Sequence, residues 1–303
     1  MKLISSWCLM LALLFVQTHG QVTTEAPLPE TVVDVAIETD GFGTLVSALT
    51  RADLVGALRG DGPFTVFAPT DAAFEALGIS PEDLETTVLA DVLKYHVVAG
   101  RVLSSDISPG PTPTLLEGSN ITLSTADGGV TVTGGQGTSA TVTQIRDVEA
   151  GNGVVHVIGA VLLPPTVLEI VVSMPALQKL ETSLNASQLN ATLSNGTFTV
   201  FAPNEQALAD VESIDKAILE NHVVTSRVNL TNGTTFTTLA RNELSVGSDQ
   251  TVEGTGYSAK VVETIHGYNG YVYVIDGILS ESSAAAHCSI LFAVFAAMRL
   301  AMA

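Results

Sequence analysis

His96 and His222 are the residues of this 303-residue chain whose type and setting most invite chemistry. Each closes an amphipathic stretch and precedes a Val-Val pair: Tyr95-His96-Val97-Val98 and Asn221-His222-Val223-Val224. An imidazole titrates near neutral pH, so it can act as an acid, a base or a pH-sensitive hinge. Beside an apolar block the commoner use is a buried neutral ring hydrogen-bonded to backbone. That structural role is expected for both histidines, with ligand contact as the alternative. Tyr95 is expected to pack its ring with the hydroxyl satisfied.

Other chemical signatures are thin. Gly254-Thr-Gly-Tyr-Ser-Ala259 fits a loose dinucleotide pattern, but it lies between short strands and not at a strand-to-helix turn, so the physical reason for the motif is missing. No Gly-x-Ser-x-Gly elbow, His-Glu-x-x-His pair or Asp-rich calcium loop occurs. The two cysteines, Cys8 and Cys288, lie near the ends, so residues 21–282 hold no thiol for zinc, a disulfide or nucleophilic attack. No catalytic residue, cofactor or metal is expected. Six sequons stand out instead: Asn120, Asn185, Asn190, Asn195, Asn229 and Asn232. Each is a candidate glycan site if the chain is secreted, and Asn229 and Asn232 sit too close for assured double occupancy.

The ends bear on that condition. Residues 1–20 carry Lys2, an apolar run from Leu9 to Val16 and small residues at Thr18 and Gly20, which fits a secretory signal peptide. Residues 21–30 read as a leader. At the other end, residues 281–303 place Ser282 and Ser283 before an apolar segment from Ile290 to Met298. That order matches a glycosylphosphatidylinositol attachment signal, with a plain secreted tail as the alternative. A single span fits less well, since it needs about 20 apolar residues. The expected location is therefore extracellular, held to the outer face of the plasma membrane by lipid. Between the ends, 10 basic residues face all 31 acidic ones, a poor match to nucleic acid.

The elements that position these residues come twice. FTVFAPTDAAF, Phe64 to Phe74, returns 134 residues later as FTVFAPNEQAL, Phe198 to Leu208, with seven identities. TVVDVAI from Thr31 and TVLEIVV from Thr166 open the copies, and Pro164-Pro165 divides them with a short, stiff linker. Within the first copy Phe64–Phe67 reads as a strand. Thr70 and Asp71 start a helix that Gly78 stops. Ser80-Pro81-Glu82-Asp83 starts a second helix, whose face is Leu84, Val88, Leu89, Val92 and Leu93. Short β-branched strands follow, closed by Val154–Ile158 and, in the second copy, Tyr271–Ile275. Helices first and strands second predict an α+β fold, with copies at 31–164 and 165–280.

Three landmarks occur in order in both copies: the FTVFAP phrase, the histidine block, and a closing strand written NGVVHVIGAVLLP from Asn152 and NGYVYVIDGILS from Asn269. On these the chain resembles the fasciclin, or FAS1, domain family across nearly all of 31–280. The resemblance implies a small β-sandwich with packed helices in each copy. It implies extracellular adhesion through matrix or cell-surface proteins or glycans, integrins among them in animals, with homotypic contact as a further option. Binding residues carried over are Tyr95, His96, His222 and Asp276. Asn221 stands where the first copy has Tyr95, and Gly159 where the second has Asp276, so neither copy holds the full set. The expected function is adhesion or matrix contact by multivalent surface binding. The alternatives are a structural wall or matrix component without a specific receptor, and a hydrolase with an unrecognised site.

Overall fold

The computed structural model describes residues 29–280 apart from 127, 128, 195, 210, 212 and 213. Residues 1–28, read above as a signal peptide and part of a leader, Asn195 and the tail with Ser282 and Ser283 lie outside the described residues.

The first copy opens with α1 (Val32–Glu38), α2 (Gly43–Arg51) and α3 (Val55–Leu58). Thr31 caps α1 through a capping box with Asp34, each side chain closing the other's free backbone amide. Strand β1 (Phe64–Pro69) follows, then α4 (Asp71–Leu77), capped by Thr70 and ended by Gly78 at φ +69°, as the sequence predicts. The next helix differs from expectation. Ser80–Asp83 forms a turn, and α5 begins at Thr86 and runs to Tyr95. The Arg51 guanidinium accounts for the difference: it donates to the carbonyls of Pro81 and Leu84, which a helix starting at Ser80 would need for its own amides.

Among the described residues, eight strands complete this copy in two four-stranded sheets. One has the order β2-β1-β8-β7, from β2 (Val97–Ala99), β7 (Val148–Ala150) and β8 (Gly153–Ile158), with β1 and β8 parallel. The other is antiparallel: β3 (Gly110–Pro113), β4 (Asn120–Ala126), β5 (Gly129–Thr133) and β6 (Ser139–Thr141). Alternation along β4 buries Ile121 and Leu123 and turns Asn120 and Thr122 outward.

The second copy repeats the plan with less. It has α6 (Val167–Ser173), again boxed by Thr166 and Glu169, then α7 (Gln178–Ala186), α8 (Leu189–Leu193), β9 (Phe198–Pro203) and α9 (Lys216–Asn221). Its strands are β10 (Val223–Val224), β11 (Thr235–Thr237), β12 (Glu243–Val246), β13 (Thr251–Gly254), β14 (Tyr257–Gly267) and β15 (Gly270–Ile275). All join one seven-stranded sheet, because the long β14 passes from one layer to the other through an irregularity between Val261 and Glu263. In the first copy that path is split into β6 and β7. The dinucleotide-like segment is the hairpin between β13 and β14, with no helix after it.

Each copy buries two apolar clusters. One lies under the helices, around Leu49, Leu89 and Val155 in the first copy and Leu180, Val200 and Val272 in the second. The other lies between strands, around Phe67 and Ile121, and around Phe201 and Leu244. Burial of this extent is the main stabilising term, since no disulfide is available within 21–282.

Candidate functional site

The two histidines end α5 and α9 and point into the cores. His96 is 2% exposed. Its Nδ1 lies 2.7 Å from the Val92 carbonyl one helical turn back, and its Nε2 accepts the Leu162 amide at 3.0 Å. His222 is held alike, Nδ1 to the Ile218 carbonyl at 2.8 Å and Nε2 to the Leu279 amide at 3.0 Å. An Nδ1 facing a carbonyl must donate and an Nε2 facing an amide must accept, so both rings are neutral and of one tautomer. Burial lowers each imidazole to about 4, against a small upward pull from its carbonyl partner. Each histidine thus ties the end of a helix to the segment after the closing strand.

Tyr95 is 1% exposed and donates to the Asn120 carbonyl at 2.8 Å; burial raises its hydroxyl to about 12. Its counterpart Asn221 is also buried. It donates to the Tyr257 hydroxyl at 2.8 Å and to the Leu279 carbonyl, and accepts from Thr238 and Asn242 at 3.0 Å each. Asp276 is exposed at the end of β15, where its Oδ1 accepts the Lys260 amide at 2.8 Å. The structure therefore does not gather Tyr95, His96, His222 and Asp276 into one place.

Several polar residues escaped the sequence reading. Asn152 accepts the Val32 amide at 2.8 Å and donates to the carbonyls of Leu58 and Gly60 at 2.8 Å each. Asn269 repeats this with Val167, Leu193 and Gly196. The Asn-Gly pair opening each closing strand was the available signal. The glycine is needed because a Cβ at Gly153 or Gly270 would meet the carbonyl oxygen of Phe64 or Phe198 at 2.2 or 1.6 Å. His156 is fully buried, accepts the Asp147 amide and lies 2.8 Å from the Val102 carbonyl.

The junction between the copies is polar. Asp91, on the buried side of α5, pairs with Arg227 of the second copy, and the two side chains are only 7% and 10% exposed. Arg227 also donates to the carbonyls of Gly267 and Tyr268 and stands 5.1 Å from the centre of the Tyr271 ring. Its Nε is buried with no partner among the described residues. His266 lies 3.8 Å from Asp91 and 3.9 Å from Glu117. Burial works to raise the Asp91 carboxyl, but His266 and Arg227 together hold it below the usual value. Backbone contacts complete the seam. His266 donates its amide to the Glu117 carbonyl at 3.0 Å, and Ser119 Oγ donates to the His266 carbonyl at 2.7 Å. The Pro164-Pro165 linker is clamped from both sides, by Gln136 at the Pro164 carbonyl and by the Tyr268 amide at the Pro165 carbonyl.

Beside the seam a cleft of about 760 Å³ opens between the outer face of β4–β5 and α6. Among the described residues no helix is long and apolar enough to cross a membrane, and no three His, Cys, Asp or Glu side chains are grouped to hold a metal ion.

The sequence model of the Fasciclin domain matches residues 40–164 and 175–281. The chain belongs to the fasciclin family. It is similar to Protein sll1483 of Synechocystis sp., 41% identical over 153 residues, which are 48% of this chain and 79% of that protein. It is similar to human periostin, 28% identical over 261 residues, 82% of this chain but only 31% of periostin. A solved FAS1 domain pair from the insect cell adhesion molecule fasciclin I aligns with a TM-score of 0.49 and 22% identity, covering 79% of this chain and 97% of that one. The repeated α+β units described above are thus two tandem fasciclin domains.

Proposed function

We propose that this chain is an extracellular adhesion or matrix-contact protein that works by multivalent surface binding and not by catalysis. Membership of the fasciclin family supports the class. The observation that carries the mechanism is the buried Asp91–Arg227 junction, which sets two domain surfaces at a fixed spacing. Two weak contacts on one rigid unit raise the effective concentration of the second contact, so avidity replaces a single strong site. In this reading Tyr95, His96 and His222 serve binding by holding the domains in shape, and Asp276 is the one carried-over residue with open surface. The partners are matrix or cell-surface proteins or glycans.

Secretion, sugar at the sequons and lipid attachment at Ser282 or Ser283 belong to the same proposal. Asn185, Asn229 and Asn232 present exposed side chains, as glycan attachment requires. Phosphatidylinositol-specific phospholipase C should release the protein from intact cells, and a mature chain still ending at Ala303 would refute the anchor.

The test of function is binding of the glycosylated chain to intact cells and to extracted matrix. Saturable binding that weakens when Arg227 is replaced, in protein confirmed to be folded, supports the reading. Absence of saturable binding favours a structural wall or matrix component. Turnover against a broad substrate panel would favour the hydrolase.

A further inference from the structure

The sequon at Asn120 stands apart from the others in what it faces. Asn120 and Thr122, the two residues that define it, are two apart on β4 and so share one face. That face is the wall of the interdomain cleft, and both residues line it. The opposite wall belongs to the second domain: Leu168 and Val172 on α6, then Met174 and Pro175. Val172, 51% exposed, stands on the outer side of a helix that buries Val167, Ile170 and Val171. Glu263 stands on the same lining as a hydrogen-bond acceptor, beside Glu169, whose carboxylate already accepts from Thr166 and Gln136. The cleft's volume of about 760 Å³ falls within the roughly 300–1,000 Å³ of small-molecule sites.

We propose that the N-linked glycan of Asn120 is seated in this cleft, its first sugar rings lying against the Val172–Pro175 wall and bracing the two domains. The inference rests on the proposed passage through the secretory pathway. There the Asn120 amide nitrogen would bond to the anomeric carbon of a lipid-linked oligosaccharyl diphosphate. The carbon–oxygen bond to the diphosphate breaks, and the lipid diphosphate leaves as the amide loses one proton. The attached rings suit the cleft chemically. A pyranose presents C–H faces to an apolar wall and hydroxyls to carboxylates and backbone, and Asn120 tethers it to the β4 wall. The Asn120 carbonyl is held by Tyr95, which fixes the tether's root. The junction then has two supports from one strand of the second domain. His266 on one face of β14 reaches Asp91, while Glu263 and Ile265 on the other line the cleft.

The absence of cysteine from 21–282 supplies a clean probe. Val172→Cys places one thiol on the cleft wall. Ile37→Cys, at the equivalent place on α1 and 53% exposed, is the control. The full chain is made in a glycosylating host, glycan occupancy is mapped by peptide mass spectrometry, and thiol labelling is timed. The probes are compared with and without Asn120→Gln, and with Thr122→Ala, which removes the sequon but keeps the asparagine. The expected result is occupied Asn120 and Val172→Cys labelling slowed severalfold, with the slowing lost in both sequon variants and Ile37→Cys unchanged throughout. Equal labelling of Val172→Cys with and without the sequon overturns the seating, as does an empty Asn120 while other sequons carry sugar. Sugar at no sequon overturns both the seating and the secretory reading beneath it.

Discussion

In the first domain the residue before the buried histidine is Tyr95; in the second it is Asn221. Tyr95 reaches across the strand core with one long side chain and makes one hydrogen bond, to the Asn120 carbonyl. Asn221 is too short for that reach. It gathers Thr238, Asn242, Tyr257 and the Leu279 carbonyl around itself. A similar exchange occurs on the closing strands, where His156 of β8 meets the Val102 carbonyl and Tyr273 of β15 donates to the Val228 carbonyl. By contrast, Thr65 and Thr199 make the same pair of bonds, to Gly100 and Val102 and to Ser226 and Val228. The fold thus fixes which backbone groups need partners and leaves open which side chain supplies them. Identity is kept where the partner is close and the geometry tight, as for the histidines and the Asn-Gly pairs.

The strongest way to break the comparison is at the one place where the domains use equivalent residues differently. Arg227 and Arg101 hold matching positions, but Arg227 is buried against Asp91 while Arg101 pairs with Glu149 on the surface. Arg227→Ala should cost about 3–5 kcal/mol, because the buried Asp91 loses its permanently charged partner and keeps only His266. Arg101→Ala should cost less than about 1 kcal/mol. Chemical denaturation of the full chain measures both, and equal losses would mean that the junction contributes nothing special.

Next comes the residue before the histidine. Asn221→Ala strands several buried polar groups, each at about 1–3 kcal/mol, whereas Tyr95→Phe removes a single bond worth about 1 kcal/mol. A larger loss for Tyr95→Phe would show that the tyrosine, not the asparagine network, is the costlier arrangement.

The histidines should behave alike in both domains. His96→Ala and His222→Ala are each expected to cost on the order of 1–3 kcal/mol through unsatisfied backbone partners. Their pH dependence has a definite sign. Each imidazole has a folded value near 4, below its ordinary 6.5, so unfolding takes up a proton between these limits. The stabilisation is complete above about pH 6.5 and is lost as pH falls towards 4, at roughly 1.4 kcal/mol per pH unit for each ring. Asp91, also lowered, adds its loss only as pH falls below the ordinary carboxylate value of 3.8. Stability measured from pH 7 to 4 should therefore slope downward, and the slope should flatten by half in either histidine variant. A flat profile in the parent chain would mean that the rings are protonated or exposed.

The caps give the smallest effect. Thr31→Ala and Thr166→Ala should each cost about 1 kcal/mol, since both open an equivalent capping box. A difference well beyond that between the two would show that one helix is held mainly by packing.

Local features were legible in the sequence because their causes are local. Thr70 and Gly78 bracket α4, and the FTVFAP strands and the segments from Thr31 and Thr166 stand out by repetition. Ser80 misled because its apparent helix start depends on carbonyls that Arg51, 30 residues away, takes for itself. The inward role of the histidines could be argued from their apolar neighbours, but their amide partners lie 66 and 57 residues off. The pairing of Asp91 with Arg227 was not legible. Nothing in either segment shows that 136 positions apart they would close a seam. The only hint was an acid among the apolar residues of α5.

The mismatch between Arg101 and Arg227 also bears on assembly. A head-to-tail contact can propagate into a filament when each end carries the complementary half. Here the place of Asp91 in the second domain is taken by Ala217, and the place of His266 in the first by Glu149, already 2.7 Å from Arg101. Molecules stacked end to end in the manner of the junction would set an engaged arginine before an alanine. The Asp91–Arg227 pairing is therefore not reproduced between stacked molecules, and this seam offers no charge pair for propagation.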